Sequence, residues 1–155
     1  MSKLITQQQS SVAPCLRYRD AAAAITWLCA NFGFEEHMVV RGDAGRILHA
    51  QLTRGGGMIM LGSTANDNEY GKWVVQPEDV GGKQTQTIYL AVADADEVYQ
   101  QAKKAGARIV IEIADADYGG RGFTCLDCEG HVWDIGTYNP WQEQGGSQAA
   151  GEPGS

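Results

Sequence analysis

Between residues 12 and 141 the spacing of apolar side chains switches between a period of two and a period near 3.6, and the order of the switches repeats. Residues 12–18 (VAPCLRY) read as a strand. Asp20 follows, placed so that its carboxylate can accept from the exposed N–H groups of a helix start. Ile25, Leu28, Cys29 and Phe32 then recur at helical spacing, and Gly33 is positioned to end that helix. Three strand-like runs come next, at 35–41, 46–53 and 58–61. Gly42 to Gly45 and the triplet Gly55-Gly56-Gly57 punctuate them as turns.

The same order then returns. Residues 87–92 read as a strand, and Asp94 with Glu97 three positions on resembles a capping box. Val98, Ala102 and Ala105 give the second helix a narrow apolar face; Lys103 and Lys104 complement its C-terminus, and Gly106 terminates it. Strands are predicted at 108–113, 122–126 and 131–136. The halves share sequence as well as pattern: Leu16-x-x-x-Asp20-Ala21 returns as Leu90-x-x-x-Asp94-Ala95, and Met60-Leu61-Gly62-Ser63 is echoed by Asp134-Ile135-Gly136-Thr137. A duplicated βαβββ module is the organising feature, which makes the fold class α+β with two tandem βαβββ modules. The expected layout is a first module at 12–62, a connecting loop at 63–84 and a second module at 85–141. A connection of that length in a compact domain is usually a lid, a binding loop or a domain linker. The ends, 1–11 and 142–155, are too poor in apolar groups to offset the entropy of ordering and are expected to be loose.

Composition narrows the function classes. Among 155 residues there are 12 Lys+Arg against 19 Asp+Glu, a net charge of −7. Phosphate binding takes clustered Lys and Arg, and the one adjacent basic pair is Lys103-Lys104, so neither nucleic acid nor an anionic membrane surface is expected as a partner. The longest apolar stretch, 21–30, is interrupted by Thr26 and falls short of a membrane span, and the start MSKLITQQQSS lacks the apolar core of a secretory signal. Four cysteines, at 15, 29, 125 and 128, in a chain large enough to fold without staples read as reduced thiols of a cytoplasmic protein.

Three segments carry a family resemblance: LRYRDAAAAITWLCANFGFEE at 16–36, GGGMIMLGS at 55–63 and YGGRGFTCLDCEGHVWDIGTYNPW at 118–141. They resemble the vicinal oxygen chelate superfamily of glyoxalases, extradiol dioxygenases and bleomycin-resistance proteins, and within it the PhnB-like branch. The resemblance implies the glyoxalase/bleomycin resistance/dihydroxybiphenyl dioxygenase fold, in which the two modules form curled mixed sheets, usually in a homodimer. It implies little about function, because one fold hosts many chemistries. Metal-dependent relatives draw ligands from the first and last strand of each module. Those positions fall here on Ala13, Met60, Thr87 and Asp134. Ala13 has no donor, Met60 offers a weak thioether, and Asp134 is the single carboxylate. No metal and no cofactor is therefore expected.

The remaining candidates are weighed on chemistry. His49 and Gln51 share one strand face, so His49 is a candidate hydrogen-bonding group or base and equally a satisfied structural histidine; His131 sits in a turn and reads as structural, and His37 as surface. Cys125-Leu126-Asp127-Cys128 has redox-like spacing but runs from a strand into a turn, without the helix N-terminus that lowers a thiol pKa. Cys15 shares parity with Ala13 and is a candidate pocket thiol. No nucleophile elbow occurs, and the Gly55–57 triplet joins two strands where a phosphate loop would lead into a helix. Aromatic residues in the long connection and near the end, Tyr70, Trp73, Tyr89, Tyr118, Trp133, Tyr138 and Trp141, read either as core or as the wall of a small-molecule pocket. The candidate ligand-binding set is Cys15, Arg17, His49, Gln51, Met60, Trp73, Thr87, Tyr89, Tyr118 and Asp134. The leading expectation is a metal-free protein that binds a small, largely planar or cationic organic molecule, as resistance members of the superfamily do. Two alternatives stay open: a glyoxalase-type lyase or dioxygenase with a non-standard metal site, and a metal-free enzyme using His49 or Asp134 as base.

Overall fold

The two aspartates open the two helices as predicted. In the computed structural model, which describes residues 9–64 and 68–142, the Asp20 carboxylate accepts from Ala23 N at 3.0 Å and starts α1 (Ala21–Phe32). Gly33 closes α1 in the left-handed region, at φ 76°. Asp94 accepts from Glu97 N at 3.1 Å and starts α2 (Ala95–Lys104). The first module has strands β1 (Cys15–Tyr18), β2 (Glu35–Arg41), β3 (Ile47–Arg54) and β4 (Gly57–Ser63); the second has β5 (Ile88–Ala91), β6 (Arg108–Asp115), β7 (Arg121–Leu126) and β8 (Val132–Gly136). Each module makes a four-stranded mixed sheet, ordered β1-β4-β3-β2 and β5-β8-β7-β6. β1 runs parallel to β4, and β5 to β8; the other pairs are antiparallel.

Two expectations about elements need correction. β1 begins at Cys15, not at residue 12, because Pro14 has no N–H to donate and restricts the residue before it. The buried face of α2 is Ala95, Tyr99 and Ala102, with Val98 partly covered. Tyr99 occupies that face because its ring packs edge-on against Phe123 at 5.1 Å while its hydroxyl reaches Glu112. A pattern search for aliphatic positions overlooks such a residue.

Each sheet turns one face to the helices. Leu16, Tyr18, Ala50, Leu52, Ile59 and Leu61 do so in the first module, and Phe123, Cys125, Trp133 and Ile135 in the second. The core is shared between the modules: the fully buried Trp133 packs against Phe32 and Phe34 at ring distances of 5.0 and 5.8 Å. Strand periodicity then sends the alternate residues outward, away from the helices. The linking segment between β4 and β5 carries two short 3-10 turns, Tyr70–Lys72 and Pro77–Val80. Of the ends expected to be loose, 1–11 and 142–155, residues 1–8 and 143–155 lie outside the described residues, and Ser10 N donates to Gly56 O at 2.8 Å. Among the described residues no helix is long and apolar enough to cross a membrane.

Candidate functional site

The ten candidate ligand residues do not converge on one site. Five lie on the outward face of the first sheet. Register aligns Met38 of β2, Gln51 of β3, Met60 of β4 and Cys15 of β1 in a row across that face. His49 stands beside the row, its Nε2 3.0 Å from Gln51 Oε1. Arg17 is the next outward residue along β1; it donates from Nη1 to Ser63 O at 3.1 Å, and its guanidinium lies 4.4 Å from the centre of the Tyr70 ring.

The second sheet gathers the better-defined chemistry. Asp134 is paired in register with Tyr89 on one side and Thr124 on the other. Its two carboxylate oxygens are each taken by a hydroxyl: Thr124 Oγ1 donates to Oδ1 at 2.6 Å and Thr87 Oγ1 to Oδ2 at 2.9 Å. Tyr89 donates to Tyr138 O at 2.6 Å, and Tyr118 meets the Tyr138 ring edge-on at 5.2 Å. Burial, then the neighbouring Tyr118, pushes the Tyr89 phenol above its ordinary value, so it stays a neutral donor. Tyr89, Tyr118, Thr124, Asp134 and Tyr138, with Glu112 and Asp115 of β6, line a pocket of about 380 Å³. Sequence reasoning missed Thr124 and the role of Tyr138. The outward parity of Thr124 on the strand preceding Asp134 was the available signal.

A larger cleft of about 750 Å³ runs between β1, the linking segment and β5, with Cys15, Arg17, Trp73 and Thr87 on its walls. His131 anchors its floor: Nε2 donates to Arg17 O at 2.9 Å, and Gln76 Nε2 donates to the same oxygen at 2.8 Å. A carbonyl only accepts, so the His131 Nε2 carries a proton.

The metal-ligand positions do not make a donor set. Of Ala13, Met60, Thr87 and Asp134 only Asp134 is a carboxylate, and its oxygens accept from the Thr87 and Thr124 hydroxyls. Among the described residues no three His, Cys, Asp or Glu side chains gather as a metal would require. His49 and Asp134, the two candidates for a base, lie in different sheets. Cys125 and Cys128 are unpaired, and burial, with the charges of Asp127 and Asp134, pushes the Cys125 thiol up to about 12. At that value the nucleophilic thiolate is scarcely populated.

Two duplicated βαβββ modules with outward sheet faces and a shared aromatic core define a class of protein, and sequence comparison identifies its family. The family model of the Glyoxalase/Bleomycin resistance protein/Dioxygenase superfamily matches residues 10–135, and the chain belongs to that superfamily. The uncharacterized protein Mb0911c of Mycobacterium bovis is 34% identical over 128 residues, which cover 83% of each chain. The crystal structure of TioX from Micromonospora sp. ML1 is 31% identical, with a TM-score of 0.66 over 84% of this chain and 99% of that one. The fosfomycin resistance protein FosX of Listeria monocytogenes shares the fold, with a TM-score of 0.63 at 14% identity over 84% of this chain and 94% of its own.

Proposed function

We propose that this protein is a binding protein for a small, flat organic cation, held on the outward face of the second sheet. The observation that carries the reading is the company Asp134 keeps. Three tyrosines, Tyr89, Tyr118 and Tyr138, share one pocket with Asp134, Glu112 and Asp115. Aromatic faces and carboxylates attract positive charge together, and the charge is worth more where water is partly excluded. Among the described residues the one cation lining the pocket, Arg121, is occupied by Asp96 at 3.0 Å and Asp115 at 3.4 Å. Thr87 and Thr124 fix the orientation of the Asp134 carboxylate, which is the preorganisation a charged ligand needs.

A second copy of the chain completes the picture. Met38, Val40 and Leu48 on the first module and Val110 and Ile111 on the second are large apolar side chains left exposed. In a homodimer these faces cover one another and close the pocket from water, so ligand binding and dimerisation stabilise each other. The working mechanism is sequestration with one ligand per pocket. Four free thiols suit a reducing compartment, and the reading places the protein in the cytoplasm, without nucleic-acid or membrane partners.

The test is calorimetric titration with N-methylacridinium and its uncharged counterpart acridine at neutral pH. The cation is expected to bind about tenfold tighter, and Asp134→Asn to remove most of that preference. Equal affinity for the two compounds, or an unchanged preference in the variant, overturns the reading.

A further inference from the structure

The cleft between β1 and β5 has a different chemistry from the tyrosine pocket. Among the described residues no Asp or Glu lines this cleft. Its charged side chains are Arg17 and Lys83, and among the described residues neither forms an ion pair. The other described arginines that face acidic groups, Arg19 and Arg121, are already neutralised by theirs. Apolar walls come from Val12, Trp73, Val75 and Val80, all exposed. Trp73 leaves 80% of its surface open, a state that costs free energy unless something covers the ring.

We propose that this cleft is a second binding site, selective for a small organic anion with a flat apolar body, such as an aromatic carboxylate. Arg17 is built to hold one. Its guanidinium is fixed over the Tyr70 ring at 4.4 Å and by the Ser63 carbonyl at 3.1 Å, and both partners leave the positive charge uncompensated. Its Nε and Nη2 donate to no acceptor among the described residues, so two N–H groups remain for a carboxylate. The strand carrying it is pinned from behind, where Gln76 and His131 both donate to the Arg17 carbonyl. Lys83 adds a second positive charge on the rim, and Trp73 supplies the flat surface against which an aromatic body stacks.

The proposal is independent of the cation pocket, and one set of titrations separates them. The probes are 1-naphthaleneacetate and its neutral isostere 1-naphthaleneacetamide, titrated into the full chain by calorimetry at low salt. The acetate is expected to bind about tenfold tighter than the amide, since charge-assisted hydrogen bonds are the stronger kind. Arg17→Gln is expected to weaken the acetate about tenfold and Lys83→Gln about threefold, with the amide unaffected. Lys104→Gln, on the far end of α2, leaves both unchanged. Should Arg17→Gln fail to fold by circular dichroism, Lys83→Glu decides, with a larger loss than Lys83→Gln. Saturating N-methylacridinium should leave the acetate isotherm intact. No acetate binding, as when a second copy fills the cleft, overturns the proposal. So do equal affinities for acetate and amide, variants that bind like the parent, and competition between the two probes.

Discussion

Tyr18 and Asp127 are 109 positions apart in sequence and joined by a 2.6 Å hydrogen bond from the phenol to Oδ2. Asp127 is buried, and it accepts from three further donors: Trp133 Nε1 at 3.0 Å on the same oxygen, and Glu129 N and His131 N at 3.0 Å on the other. A buried carboxylate is tolerable when its lone pairs are taken. This one ties the last strand of the second module to the first strand of the first.

Tyr18→Phe removes one donor and leaves a buried anion less well satisfied. A loss of about 1–3 kcal/mol in urea unfolding is expected. The same contact carries a pH signature. Burial and the Asp127 charge raise the Tyr18 pKa well above 10 in the folded state, while the unfolded chain ionises near the ordinary value of about 10. Its contribution is thus fully present below about pH 10 and declines as pH rises further, because only the unfolded state then releases the proton. The phenylalanine variant should lose that part of the alkaline destabilisation, seen as a shallower fall of unfolding free energy with pH.

Glu129 makes the companion contact. Its carboxylate accepts from Arg19 N at 2.7 Å and Asp20 N at 2.8 Å, just ahead of α1. Glu129→Ala should cost about 1–3 kcal/mol by thermal or urea unfolding, and Glu129→Gln part of that.

Thiol reactivity should sort the four cysteines. Cys15 and Cys128 are exposed, Cys29 is half-buried with its pKa raised by burial, and Cys125 is inaccessible in β7. Ellman titration of the native protein should show fast modification at 15 and slower modification at 29 and at 128, where burial and the charges of Asp127 and Glu129 push the thiol up to about 12. Cys125 should stay silent until urea is added.

Gly122 of β7 is paired in register with Gly136 of β8. A Cβ there would stand 2.6 Å from Ile135 O and 3.0 Å from Gly136 Cα, both backbone atoms that cannot swing aside. Gly122→Ala should cost about 1–3 kcal/mol in unfolding free energy and lower affinity for N-methylacridinium, since Gly122 also lines the tyrosine pocket.

Ile111 is 62% exposed on β6. If a second copy covers it, Ile111→Glu should convert dimers to monomers in size-exclusion chromatography with light scattering, with the circular dichroism spectrum retained. A parent protein already monomeric at micromolar concentration removes the dimer from the proposed function.

Local signals explain what could be read beforehand. Asp20, Gly33 and Asp94 act on their own neighbours, so the helix positions were legible, and the repeat of the Leu16–Ala21 pattern at Leu90–Ala95 exposed the duplication. Strand parity likewise put Cys15 on the face of Ala13, and His49 on that of Gln51. Parity does not report which sheet a strand joins. For that reason the candidate set, which reads as one pocket along the chain, divides between two sheets and a cleft. Asp127 shows the same limit: as part of a D-x-E-G-H turn it looks local, while its partner Tyr18 lies in another module.

The placement of Trp133 also bears on how the protein is made. Ribosomes add about 5–20 residues per second. Phe32 and Phe34 therefore emerge several seconds before the indole that covers them, and Tyr18 emerges ahead of the carboxylate that accepts its hydrogen bond. Through that interval the first half of the nascent chain carries an uncovered aromatic surface. Chaperone engagement during translation should accordingly concentrate on chains whose second half is still unmade.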